Sequence, residues 1–298
     1  QLCLAAKSGD LKKVQTLINS GADLTHFDKD GLTPLMHAAK IGNAEIVTAL
    51  LESGAPWNAL TPSNLSAGDF AMEAETFDLL LKTGIQSELI LGTIARNQTK
   101  NEYSNQEYLQ DRVSFSEDKL MDSESKGVMM AWEKPLMEAH AKAICISGHI
   151  LNVGFGMGLV DTAIQRYNPS KHTIIEAHPE VYKCMIESGW GEKENVEIVF
   201  GRWQDVLDKL DSFDGIFFDT YGDIFRGLLK PDGIYSYFNG FCGSNAFFHV
   251  VYCNLVTLEI ENLGFSTQLI PLPVKDCLGD EVWEGVKQKY WQLDTYYL

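Results

Sequence analysis

The sequence predicts an open α/β sheet of parallel strands covered by helices, preceded by a separate all-α repeat module. Three observations lead to this prediction. A glycine-rich turn, Gly154 to Gly158, follows a short apolar run and precedes an amphipathic segment. Short apolar runs and helical patterns then alternate, which is typical of parallel sheets. Upstream of the turn, sequence features recur at an interval of 33 residues.

The composition suits two domains that bind neither nucleic acid nor membrane. The chain has 298 residues, 45% of them apolar, and a formal net charge of −17. A surface this negative repels phosphate backbones, so we expect no direct nucleic-acid binding. The same charge suits a basic protein partner. No apolar run approaches the roughly 20 residues that a membrane helix needs.

The cysteines give no sign of a metal site or a disulfide framework. Six are present, and none forms a CxxC pair or a metal-ligand spacing. We therefore expect no metal, and thiols that stay reduced. This predicts a cytoplasmic protein, with the nucleus as a further location.

The first hundred residues form a repeat. Leu4–Ala6 recurs as His37–Ala39, and Gly21–Asp23 recurs as Gly54–Pro56, each 33 positions later. The segment beginning Thr33-Pro34 carries a Thr-Pro-Leu-x-His-x-Ala-like core, so the region resembles ankyrin repeats. Residues 1–100 are therefore assigned to an ankyrin module, which either docks a protein partner or only stabilises its neighbour.

The third repeat is degraded. Gly84 follows Gly54 by 30 positions, three short of the period, and the expected turn between two helices is missing beside Ala74. We infer that about three residues are absent there. Residues 101–125 are polar and are interpreted as a linker.

Residues 126–298 are predicted to be one α/β domain. Its connection from Thr220 to Leu229 is shorter than a parallel crossover needs, so we infer absent residues near Gly222. Pro135 is expected to kink the first helix. The helices are predicted at Val128–Cys145, Leu159–Arg166, Pro179–Ser188, Trp203–Leu210 and Asn245–Leu263. The seven strands are predicted at Ile150–Val153, His172–Glu176, Val196–Phe200, Phe213–Asp219, Ile234–Phe238, Phe265–Ile270 and Lys289–Tyr297, the last of them antiparallel.

The glycine turn predicts a nucleoside-containing ligand at the carboxyl ends of these strands. Its spacing is GxGxG, because position 159 is leucine, which disfavours a dinucleotide and favours S-adenosylmethionine. Glu176 ends the second strand, where a carboxylate accepts hydrogen bonds from ribose hydroxyls. Arg202 and Trp203 follow the third strand, where adenine contacts are expected, although Trp203 is equally well explained as a core residue.

Two carboxylates predict the group that receives the methyl. Asp219 ends the very apolar fourth strand, where a buried charge is costly without a partner. Glu133, on the helix before the first strand, would complete an acidic pair that binds a guanidinium through bidentate hydrogen bonds. A carboxylate can orient that group and accept its departing proton. On pattern alone, Glu133 could instead be a surface residue of its helix.

Four blocks carry a family resemblance. Val128–His140, Leu151–Met157, Phe213–Tyr221 and Tyr235–Gly240 resemble guanidinoacetate N-methyltransferases. With the repeats in front, the whole chain resembles the fungal type IV protein arginine methyltransferases, which methylate the internal (delta) nitrogen of arginine. The resemblance implies a class I S-adenosylmethionine-dependent methyltransferase with a Rossmann-like seven-stranded sheet.

The resemblance also implies site residues. The guanidinium would be handled by Glu133 and Asp219, with Tyr221 nearby. An aromatic contact upstream of Val128 is expected, for which Tyr108 and Phe115 are both candidates. The implied cofactor contacts are Met129, Met137, Phe155, Gly156, Met157, Gly158, Leu159, Val160, Glu176, Ala177, His178, Arg202, Trp203 and Asp219.

Three functions follow as hypotheses. The first is methyl transfer from S-adenosylmethionine, leaving S-adenosylhomocysteine, to arginine in a basic, ribosomal protein that docks on the ankyrin module. The second is methylation of a small guanidino compound, for which an upstream repeat module has little use. The third is a non-catalytic ankyrin adaptor, against which the glycine loop, Glu176 and Asp219 argue.

Overall fold

The computed structural model describes residues 1–98, 106–146, 148–219 and 227–298, with side chains from 93 to 98 and at 106 left aside. The chain divides into two compact units. Unit 1 comprises 1–100 and 241–267, and unit 2 comprises 101–240 and 268–298. Neither unit is continuous in sequence, because a stretch after Gly240 belongs with the repeats.

Helices and strands are numbered in chain order. The helices are α1 (Leu2–Lys7), α2 (Leu11–Asn19), α3 (Pro34–Lys40), α4 (Ala44–Glu52), α5 (Ala67–Phe70), α6 (Ala74–Gln98), α7 (Gln106–Gln110), α8 (Lys134–Ile144), α9 (Leu159–Gln165), α10 (Pro179–Glu187), α11 (Trp203–Val206) and α12 (Ala246–Asn262). The strands are β1 (Val113–Phe115), β2 (Lys119–Asp122), β3 (Gly127–Met130), β4 (His149–Val153), β5 (Lys171–Glu176), β6 (Val196–Phe200), β7 (Phe213–Phe218), β8 (Leu229–Tyr237), β9 (Pro271–Pro273) and β10 (Thr295–Tyr297). Across the described ranges, no helix is both long enough and apolar enough to span a membrane.

Unit 1 is built from paired helices, as the 33-residue period predicts. Thr33 caps α3 by accepting a hydrogen bond from the Met36 amide at 3.2 Å, and Asn43 caps α4 in the same way. Leu35 and Leu50 are fully buried in the shared core. The third repeat is incomplete, because α5 has only four residues before α6 begins at Ala74.

Helix α12 completes this core. Phe247 and Val251 are buried among repeat residues, and the Phe247 ring makes an edge contact with Trp57 at 6.4 Å between centroids. The helix N-cap is tied to the third repeat as well, because Asn245 donates to Asp69 at 2.8 Å. The sequence boundaries placed α12 in a domain of residues 126–298. The structure groups it with the repeats, since the short α5 leaves apolar surface that α12 covers.

Unit 2 contains a five-stranded parallel sheet in the order β6-β5-β4-β7-β8. The predicted α/β class is therefore confirmed, but the seven-strand count is not. In the described part of the chain, residues 265–270 form no strand. The last two strands, β9 and β10, pair antiparallel with each other in a sheet of their own.

A separate antiparallel sheet of β1, β2 and β3 precedes the parallel one. It corrects two predictions. Most of the supposed linker 101–125 that is described is structured, and the helix predicted from Val128 begins only at Lys134. Residues 127–130 form a strand because they pair with β2, and Met129 and Met130 are buried there. Pro135 therefore lies in the first turn of α8, where proline is tolerated, and does not kink it.

Candidate active site

The glycine turn joins β4 to α9 in a backbone conformation that requires glycine. Gly154, Gly156 and Gly158 have φ angles of +100°, +55° and +69°. A β-carbon at Gly154 would lie 2.8 Å from the carbonyl oxygen of Asp219, and one at Gly156 would lie 2.8 Å from the sulfur of Met129. Side chains are thus excluded both by conformation and by close approach of neighbouring segments.

Glu176 links this turn to the end of β5. Its carboxylate accepts hydrogen bonds from the amide of Phe155 at 2.8 Å and the amide of His178 at 2.6 Å. Burial raises the pKa of Glu176, while these backbone donors act in the opposite direction. Each carboxylate oxygen can accept a second hydrogen bond, so the residue can still bind ribose hydroxyls.

Residues at the ends of the neighbouring strands form the rim of the candidate cofactor site. The ring of Tyr108 lies 4.9 Å from that of His178, so of the two aromatic candidates Tyr108 contacts a predicted cofactor residue. Arg202 makes a two-pronged ion pair with Asp205 at 2.8 and 3.0 Å. The Trp203 ring lies 5.8 Å from that of Phe218.

Other predicted contacts divide between the turn and the core. Phe155 and Met157 lie in the turn, Leu159 begins α9 and Ala177 follows β5. Met137 and Val160 are fully buried in a hydrophobic cluster between α8, α9 and the sheet. They therefore support the turn from beneath. Tyr221 lies outside the described residues.

Glu133 is held between β3 and α8. The residue is 3% exposed, and its Oε1 accepts hydrogen bonds from the amide of Met130 at 3.0 Å and from the hydroxyl of Tyr290. Burial raises the pKa of Glu133 to about 8, and the negative charge of Asp219 contributes to the rise. Glu133 is therefore a buried acid rather than a surface residue.

Asp219 directly follows β7. Its amide donates to the carbonyl of Val153 at 3.1 Å, which fixes it beside the first residue of the glycine turn. The residue is partly exposed, yet enough protein surrounds the carboxylate that burial raises its pKa to about 7. Because the charge of Asp219 acts on Glu133, the structure places the two carboxylates near each other, and their shared role in one site stays a prediction.

Comparison with known proteins identifies the family. The guanidinoacetate N-methyltransferase family model matches residues 98–256, and the ankyrin-repeat model matches residues 2–89. Three relatives are named protein arginine N-methyltransferase 2. That of Aspergillus oryzae is 34% identical over 85% of this chain and 76% of its own length. Those of Saccharomyces cerevisiae and Cryptococcus neoformans are each 30% identical, over 85% and 100% of this chain and 76% and 93% of their own lengths.

The chain belongs to the protein arginine N-methyltransferase 2 family. The match confirms the resemblance that the four sequence blocks and the repeats indicated. In this family member, the matched methyltransferase segment ends inside α12, so it contains the glycine turn and both carboxylates but not the tail of the chain.

That tail supplies site residues that the sequence did not reveal. Tyr290 donates to Glu133 and accepts a hydrogen bond from the Trp132 indole at 3.1 Å. The Trp283 ring packs on both, at 6.1 Å from Trp132 and 5.2 Å from Tyr290. The tail of this chain thus forms an aromatic wall beside the acidic pair. The tail carries no motif or spacing that would have assigned Tyr290 to the site.

The residues present fit S-adenosylmethionine, the cofactor that the methyltransferase family implies. The positive φ angles of the turn bring the backbone close to a ligand at the strand ends, and Glu176 supplies a ribose acceptor. Met129 and Phe155 provide an apolar lining, being 3% and 4% exposed. The family and the geometry therefore agree on a methyltransferase site at the end of β4.

Proposed function

We propose that the protein transfers a methyl group from S-adenosylmethionine to the delta nitrogen of arginine in a basic, ribosomal protein. The observation that carries this proposal is the pair formed by buried Glu133 and partly exposed Asp219 beside the glycine turn. Two neighbouring carboxylates with raised pKa values favour binding of a cation, since a positive group between them stabilises the ionised form of both. We place this activity in the cytoplasm and the nucleus.

The pair suits a guanidinium. An arginine side chain is protonated in water, with a pKa of about 12.5 or more, and its planar fork matches carboxylate geometry. Glu133 Oε1 is already engaged by Met130 and Tyr290, and Oε2 has no hydrogen bond to a described residue, so Oε2 is the oxygen left for substrate.

The carboxylates would also activate the attacking nitrogen. S-adenosylmethionine, when bound, supplies an electrophilic methyl group. Hydrogen bonds from the other guanidinium nitrogens to Glu133 and Asp219 hold positive charge there and free the lone pair of the reacting nitrogen. A carboxylate then accepts the proton that this nitrogen loses.

The chemical identity of the product tests the proposal. The purified protein would be incubated with ribosomal proteins and isotopically labelled cofactor, and the hydrolysed product analysed by mass spectrometry. We expect delta-methylarginine as the labelled amino acid. Label on the terminal nitrogens alone would overturn the choice of nitrogen, and absence of label from protein would overturn the substrate class.

A small guanidino compound is the second candidate substrate. The match of residues 98–256 to the guanidinoacetate N-methyltransferase family favours it. The ankyrin module favours a protein instead, because such repeats commonly bind proteins. Turnover of guanidinoacetate under conditions that give no labelled protein would decide for the small molecule.

Methyl transfer should depend on pH through the acidic pair. We expect kcat/KM to rise as pH increases through about 7 to 8, because Asp219 and Glu133 must lose protons to bind a cation. Tyr290→Phe removes a hydrogen bond that lowers the Glu133 pKa, so the rise should move about one unit higher. Tyr167→Phe, at an exposed position, is the matched control. An unchanged profile in Tyr290→Phe would contradict the role of this hydroxyl.

A further inference from the structure

The ankyrin module carries a groove of about 1070 Å³, here called the repeat groove, lined among others by Lys29, Lys40, Ile41, Pro62, Leu65 and Phe70. Its apolar lining is accessible, since Ile41 is 44% exposed and Leu65 is 39% exposed. Large apolar side chains exposed together on one surface are typical of protein-binding sites.

The carboxylates of the repeat groove are already occupied. Asp28 accepts from the ring of His37 at 2.7 Å and from the amides of Asp30 and Leu32. Asp30 lies 3.6 Å from the ammonium of Lys7. Only Asp30 is paired with a lysine, so Asp28 keeps its negative charge, although partners within the module already engage its oxygens.

Two lysines of the repeat groove lack such partners. Lys29 and Lys40 are exposed, and no carboxylate of the described residues lies within ion-pair distance of either. The ammonium of Lys40 lies 5.8 Å from the centroid of the Phe70 ring. This cation–π contact holds the positive charge of Lys40 beside the groove. The residual charge of the groove is positive in a chain whose net charge is −17.

A second groove of the module has the opposite charge. It is lined by residues of α2, α4 and α6 and includes Glu45, Glu52 and Glu75. Among the described residues, no lysine or arginine lines it. The two grooves of one module therefore differ in the sign of their charge, so a basic protein has no electrostatic reason to choose the repeat groove.

We propose that the repeat groove docks an acidic segment with interspersed leucines from a partner protein that is not the methylated substrate. Leucines would cover Ile41 and Leu65, and carboxylates would pair with Lys29 and Lys40. This inference goes beyond the proposed function, because it assigns the groove to a ligand whose charge is opposite to that of an arginine-rich substrate.

Peptide binding to the full-length protein tests the proposal without requiring methyl transfer. The probe is a fluorescent peptide alternating glutamate with leucine, compared by anisotropy with the same peptide carrying lysine for glutamate. We expect the glutamate peptide to bind more tightly, with an affinity that falls as salt rises. Lys29→Glu with Lys40→Glu should weaken it about tenfold. Ile41→Ser should weaken it as well, by loss of apolar contact.

The matched control reverses the charge of two lysines outside the repeat groove. Lys12 and Lys13 are exposed on α2, so Lys12→Glu with Lys13→Glu changes the net charge equally and should leave binding of the glutamate peptide within about twofold. Failure of the glutamate peptide to bind would overturn the proposal. Tighter binding of the lysine peptide, strengthened further by the groove reversal, would overturn it in favour of substrate docking.

Discussion

Asp219→Asn is expected to lower kcat/KM for methyl transfer by about 10²- to 10⁴-fold. Asparagine keeps the shape of the side chain but neither the negative charge that binds a guanidinium nor the ability to accept its proton. Glu133→Gln should have an effect of similar size, since each carboxylate needs the other to hold one cation. The measurement is steady-state transfer of label to protein at pH 8, where both groups of the unmodified protein can ionise.

The control for this prediction distinguishes loss of catalytic activity from loss of the folded structure. The folded-state pKa of Asp219 is raised from 3.8 to about 7, so the folded protein opposes ionisation, and this residue reduces stability progressively as pH rises through that window. Asp219→Asn should therefore be at least as stable as the unmodified protein at pH 8. Asp208→Asn, at an exposed position, should leave activity unchanged. Retention of activity within about threefold by Asp219→Asn would rule out its assigned role.

Phe247→Ala is expected to destabilise the repeats, although the residue lies 147 positions beyond Lys100. The Phe247 side chain is 2% exposed and packs on Trp57 and Phe77. Replacing a buried phenylalanine with alanine lowers the free energy of unfolding by about 3–5 kcal/mol. Hydrogen exchange followed by mass spectrometry should show faster exchange of amides in α3 to α6, because opening of a unit reports its local stability.

The matched control is Leu258→Ala on the same helix. Leu258 is 40% exposed, so its removal should change stability by no more than about 0.5 kcal/mol. If Phe247→Ala accelerates exchange only within α12 itself and leaves the repeats protected, the helix does not belong to the repeat core in solution.

Patterns of neighbouring residues in the sequence predicted those site residues that a single strand and the turn after it position. The apolar run of β4 and the glycines after it determine a strand, a positive-φ turn and a helix start within ten residues, so Gly154 to Gly158 could be assigned directly. Glu176 and Asp219 were likewise predictable, because each ends an apolar run and the carboxyl ends of parallel strands meet.

Contacts between distant segments were not predictable in this way. Tyr290 reaches Glu133 from 157 positions away, and no local pattern encodes that hydrogen bond. Residues 127–130 are too few for their pattern to distinguish a strand from a helix start, and only pairing with β2 decides between them. The sequence predicted a helix over Asn245–Leu263 but not which core it would join, because this helix is apolar on all sides and has no single core-facing stripe.

The place of α12 also has an evolutionary consequence. A β-carbon at Gly68 would overlap the ring of Phe247, so the two positions constrain each other across most of the methyltransferase segment. Recombination that exchanged the N-terminal repeats of two homologues at Lys100 would pair one parent's Gly68 and Trp57 with the other's α12. Such chimaeras are compatible only where both parents carry matching residues, which means that the repeats and a stretch of the distant half of the chain must be inherited together.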